Sequence, residues 1–128
     1  MSVNLLLVTH GQIGAELLDS ARATFGGGLP MMCDSLSVSP DCEPDTLIAD
    51  LQLLVDALAD NTELLILTDL YGATPCNIAH HYAQHAKINI IAGVNLPMLI
   101  RVLNYSNSSS DELINKAISG GREGILVV

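Results

Sequence analysis

The stretch "LLLVTHGQIGAELL", Leu5 to Leu18, decides the fold. Its first part, with Val3 before it, is an apolar run broken only at Asn4, the pattern of a strand covered on both faces. Ile13, Leu17, Leu18, Ala21 and Phe25 then recur at helical spacing. A buried strand passes into a helix within a few residues, and His10 sits at the junction. An imidazole there is a satisfied core residue, a helix cap, a metal ligand or a nucleophile.

The same alternation runs through the chain. Gly26 to Gly28 end the first helix, and "MMCDSLSV" is a weaker strand closing before Pro40. Pro44 fits the first turn of a helix carrying Leu47, Ile48, Leu51, Leu54, Val55 and Leu58 on one face. "ELLILTDL" is a third strand, and "YGATPCN" turns it into a helix with Thr74 as N-cap and Pro75 at the first helical position. "INIIAGV" is a fourth strand, followed by a helix from Asn95 and Pro97. "NSSSDE" caps a last helix that runs through Ile118 and stops at Gly120 and Gly121, leaving "GILVV" as a terminal strand. The expected architecture is a single α/β domain over residues 1–128. It is doubly wound: a mainly parallel open sheet of four strands plus a C-terminal antiparallel edge strand, with helices on both faces.

In such sheets ligands bind beyond the carboxyl ends of the strands. The loops that matter are therefore "THGQ", "SVSPDCEP", "TDLYGATP" and "GVNLP". His10 and Asp69 take equivalent places, each just past a strand. If those strands are neighbours, the carboxylate reaches the imidazole, fixes its tautomer and leaves the other ring nitrogen nucleophilic. Gly72 and Ala73 are small enough for close backbone approach, and Thr74 with the N–H groups of the next helix suits an anion. A histidine nucleophile beside such groups is a design for carrying phosphate.

Bulk properties narrow the class. The chain has 128 residues, 49% hydrophobic, with a net charge of −9. That suits one packed core, and its apolar runs are far shorter than the roughly 20 residues of a membrane span. No basic segment precedes the first apolar run, so no signal peptide is expected and the location is expected to be cytoplasmic. Five basic residues are too few for a nucleic-acid surface; a basic protein partner is favoured. Cys33, Cys42 and Cys76 form no CxxC pair and read as packing residues. His81 and His85 have i, i+4 spacing, but no third ligand accompanies them, so with His80 they read as surface or structural residues and no metal is expected. Tyr71 closes its loop or packs on a partner, and Arg101 lies on a helix face open to solvent or to the partner groove.

Together "VTHG", "LTDLYGATPCN" and "GVNLPML" resemble the mannose-family IIA proteins of the bacterial phosphotransferase system, and "GREGILVV" looks like that family's C-terminal end. The resemblance implies a phosphocarrier without a cofactor. His10 accepts a phosphoryl group from phospho-HPr, itself charged by enzyme I from phosphoenolpyruvate, and Asp69 hydrogen-bonds that histidine. Thr9, Gly72, Ala73 and Thr74 line the phosphoryl site, where the family often has Gly-Gly-Ser-Pro and this chain Gly72-Ala73-Thr74-Pro75. The group then passes to a IIB component working with IIC and IID membrane components. The family also implies a homodimer in which the terminal strand crosses between subunits. Two other functions fit the same site: a regulatory module switched by phosphorylation of His10, and the phosphotransfer subunit of a dihydroxyacetone kinase. Gly11 and Gly14 read as room for the phosphoryl group and a partner's surface.

Overall fold

The computed structural model describes residues 2–128. The elements follow in the order β1 (Ser2–His10), α1 (Ile13–Thr24), β2 (Cys33–Val38), α2 (Pro44–Asp56), β3 (Thr62–Thr68), α3 (Thr74–His80), β4 (Ile88–Ala92), α4 (Leu96–Asn104) and α5 (Ser110–Glu123). The strands form one sheet in the order β2-β1-β3-β4, and every pairing is parallel. β1 and β3 occupy the centre, which explains their unbroken apolar runs: alternate side chains feed two different cores. Leu5, Leu7, Leu65 and Leu67 face α1, α4 and α5, where they meet Leu18, Leu99, Val102 and Leu113. Leu6, Val8, Leu64 and Ile66 face α2 and α3, against Leu47, Leu51, Ile78 and Ala79. Each fully buried leucine contributes about 1.5–3 kcal/mol.

The chain runs outward from β1 to β2, then returns across to β3. The sheet's switch point therefore lies between the carboxyl ends of β1 and β3. That is where His10 and the residue after β3, Asp69, stand.

Three details differ from the sequence reading. The terminal "GILVV" forms no antiparallel edge strand: residues 125–128 carry no regular structure, and Ile125 to Val128 are fully or largely exposed. α5 does not stop at Gly120 and Gly121 but continues to Glu123. Those glycines are buried because α4 packs on them; a Cβ on Gly120 would lie 2.5 Å from Arg101 Cβ. They permit close helix packing, a use that outweighs the roughly 1 kcal/mol cost of a helical glycine. At α3 the N-cap is Ala73, so Thr74 is the first helical residue and no side chain caps this end.

The cysteines pack. Cys76 is buried, and Cys33 lies against the core beneath α1. Burial pushes the Cys33 thiol up to about 11, with Asp34 adding to the rise and Arg22 opposing it. No helix among the described residues is long and apolar enough to cross a membrane.

Candidate functional site

β1 and β3 pair with Val8 opposite Thr68, so one more step along each strand brings the two loops side by side. The Asp69 carboxylate reaches across this seam. Its Oδ2 accepts from the His10 backbone N–H at 3.1 Å and meets His10 Nδ1 at 2.8 Å. An ionised carboxylate only accepts, so Nδ1 carries the proton and Nε2 keeps its lone pair. The imidazole is 46% exposed and the carboxylate 12%, so the ring is open to solvent while its anchor is covered. Burial alone raises the pKa of Asp69, but the hydrogen bonds from the His10 side chain and backbone outweigh it and hold the carboxyl below its ordinary value. The other carboxylate oxygen, Oδ1, is buried without a partner among the described residues, as is the Thr68 hydroxyl.

The turn after His10 is tied to its neighbours. Gly11 has φ +46°, the left-handed region, with open space where a Cβ would stand; its backbone conformation explains the glycine. Its N–H donates to Val38 O at 2.9 Å, and Ser37 Oγ donates to its carbonyl at 2.6 Å. Thr9, expected to line the phosphoryl groove, is instead 1% exposed, and its hydroxyl accepts from Gly14 N–H at 2.7 Å. It thereby satisfies one of the free donors at the start of α1. Gly14 is buried too, with Thr9 Oγ1 at 3.0 Å and Leu7 Cβ at 3.1 Å from the position of a Cβ. Its lack of a side chain lets α1 sit close on β1 and makes no room for a ligand.

The turn after Asp69 is looser. Ala73 N–H donates to Leu70 O at 3.3 Å, and Asn77 Nδ2 donates to Gly72 O at 3.3 Å. Gly72 has φ +80°, which demands a glycine. Leu70 and Tyr71 are exposed beside the histidine's loop. The structure thus joins His10 to Asp69 directly and places Gly72, Ala73 and Thr74 in the turn that follows, at the same end of the sheet.

Two residues here escaped the sequence reading: Ser37 and Asn77. Ser37 had a weak signal, since it stands next to last in β2 at the head of the strand-end segment "SVSPDCEP"; Asn77 had none. His81 stacks edge-on against Tyr82, and His85 Nδ1 accepts from Lys87 N–H. Among the described residues no group of three metal-ligating side chains is gathered.

The chain matches the EIIA-man family, described as the fructose IIA component of the PTS system, over residues 4–118. It belongs to that family. It is 30% identical over 128 residues, 98% of its length, to the mannose-specific EIIAB component of the PTS system from Escherichia coli K12. It spans only 39% of that relative. A sorbose-specific EIIA component from Klebsiella pneumoniae is 28% identical over 113 residues, covering 87% of this chain and 81% of the relative. Among solved structures, the mannose/sorbose specific IIA subunit from Enterococcus faecalis superposes with a TM-score of 0.87 at 27% identity, covering all of this chain and 96% of the other. Membership of the EIIA-man family agrees with the four-stranded parallel sheet and with a role as a phosphotransfer component of the sugar phosphotransferase system.

Proposed function

We propose that this EIIA-man chain takes a phosphoryl group from phospho-HPr onto His10 Nε2 and passes it to a IIB component during sugar uptake. The observation that carries the reading is the 2.8 Å contact between His10 Nδ1 and Asp69 Oδ2. It fixes the tautomer that leaves Nε2 free, and the exposed ring makes Nε2 reachable. In the transfer, Nε2 forms a bond to phosphorus as the bond from phosphorus to the donor's imidazole breaks in line. The donor nitrogen keeps the electron pair. His10 becomes a phosphoimidazolium whose Nδ1–H is held by Asp69, so positive charge develops beside a carboxylate already kept ionised. Gly72, Ala73 and Thr74 surround the phosphoryl oxygens, which the Gly72 and Thr74 N–H groups and the Thr74 hydroxyl receive, while the Ala73 N–H stays with Leu70 O. Positioning and electrostatics supply the catalysis.

The experiment combines the purified chain with labelled phosphoenolpyruvate, enzyme I and HPr, then adds a IIB acceptor. Acid-labile label on the wild type that chases to IIB is expected; label persisting on His10→Ala overturns the assignment. Asp69→Asn is expected to slow transfer about 10- to 100-fold, the worth of one charge-assisted hydrogen bond.

The same reading includes a homodimer. Residues 125–128 are exposed and apolar, and β4 pairs only with β3 among the described residues, leaving one edge open. Exchange of the tail between subunits covers both. Light scattering checks it: a monomer at micromolar concentration removes this part of the proposal.

A further inference from the structure

We propose that Ser37 is a positioning residue for His10, acting through the peptide that follows the histidine. This rests on the phosphocarrier reading above, but its first test does not. The two peptide units after His10 are both held by β2. Val38 O accepts from Gly11 N–H at 2.9 Å, and Ser37 Oγ donates to Gly11 O at 2.6 Å. Gly11 is the residue most in need of such restraint, because a glycine at φ +46° is confined by no side chain of its own. The histidine's other side is fixed by β3, where one carboxylate oxygen of Asp69 takes both the backbone N–H and Nδ1 of His10. The nucleophile is therefore pinned between both strands that flank β1. A carboxylate oxygen can meet a backbone N–H and a ring nitrogen of one residue only while that residue's backbone keeps its direction. Among the described residues, the Ser37 hydroxyl is the one side-chain group that holds this peptide from the β2 side.

Ser37 is exposed, so water takes its place at the Gly11 carbonyl when the hydroxyl is removed. Loss of the hydroxyl then leaves stability almost unchanged and loosens the ring. The discriminating measurement is the nitrogen-15 NMR spectrum of the His10 ring across a pH titration, taken with no phosphoryl donor present. In the wild type the Nδ1–H tautomer is expected to dominate. In Ser37→Ala a mixture with the Nε2–H tautomer is expected, together with phosphoryl acceptance slowed about fivefold, the fold-change matching one hydrogen bond. Ser37→Thr keeps the hydroxyl and is expected to restore both.

Identical ring spectra and rates in wild type and Ser37→Ala overturn the proposal. So does a slowed Ser37→Ala whose thermal midpoint falls by several degrees, since that is a merely structural role. A wild type that takes no phosphoryl group overturns the function instead, and the ring spectra still decide Ser37.

Discussion

The two loops that build the site are held in opposite ways. In the turn between β1 and α1, Thr9, His10, Gly11 and Gly14 all have partners for the groups that matter: a helix N–H, a carboxylate, a carbonyl and a serine hydroxyl. In the turn between β3 and α3, Asp69 holds His10, but beyond it Leu70 to Gly72 are tied by two hydrogen bonds of 3.3 Å, Leu70 and Tyr71 lie in solvent, and Thr68 and Asp69 each keep a buried oxygen without a partner among the described residues. On the proposed function, the nucleophile stands on the rigid side and the surface offered to a partner stands on the adaptable side. That division suits a carrier, which must keep one reactive geometry while accepting different proteins in turn.

The sharpest way to break the contrast is to strike the rigid turn where it has no slack. In Gly14→Val the new Cβ would stand 3.0 Å from Thr9 Oγ1 and 3.1 Å from Leu7 Cβ, with further methyls beyond it. A loss of about 3 kcal/mol is expected from overpacking, read from urea unfolding. A loss below about 1 kcal/mol shows that α1 lifts off β1 freely and that the turn is no more rigid than its neighbour. Next comes Thr9→Val, which keeps the shape and removes the acceptor. Gly14 N–H is then buried without a partner, at a cost of about 1–2 kcal/mol.

The contrast also marks what the sequence disclosed. Alternation of apolar runs and helical stripes revealed the layers, because β1 and β3 are covered on both faces and carry no polar face to confuse the pattern. His10 and Asp69 were legible as a pair through their equivalent places after two strands, and neighbouring strands supplied the contact. What escaped were features set by packing between elements distant in sequence. Gly120 and Gly121 looked like a helix stop because glycine ends helices when nothing else favours it; here α4 rests on them. Thr9 looked like a groove residue, but strand alternation turns it inward. The tail's apolar residues looked like a strand, yet residues 125–128 pair with no strand among the described residues. Ser37 was invisible as a partner because hydrogen bonds across 26 residues leave no local pattern.

The bond that joins the two loops is sensitive to acid. The carboxyl of Asp69 is held below its ordinary value of 3.8 in the folded chain, so its contribution to stability is complete above that value. It is lost as pH falls further, through the folded-state pKa. The wild type is therefore expected to exceed Asp69→Asn in urea midpoint at pH 7, and the gap is expected to narrow progressively as the pH falls below 3.8. A gap that stays constant between pH 7 and 3 means that His10 does not hold this carboxylate ionised.

The smallest effect carries the most information about the looser loop. Thr68 closes β3 opposite Val8, and Thr9 is the next residue along β1; both threonines are fully buried near the carboxyl ends of the central strands. Thr9 meets the start of a helix with its hydroxyl, whereas Thr68 faces the α2 and α3 layer with no hydrogen-bond partner among the described residues. A buried hydroxyl without a partner costs stability that a methyl of the same shape does not. Thr68→Val is therefore expected to leave stability unchanged or raise it by up to about 1 kcal/mol, the opposite sign from Thr9→Val. Should Thr68→Val instead lose about 1 kcal/mol or more, the hydroxyl has a partner in solution. The natural one is an ordered water that also serves Asp69 Oδ1, the second orphan oxygen at the same strand end. The carboxylate would then be braced from behind, Thr68→Val would slow phosphoryl transfer as well, and the looser loop would prove anchored at its root.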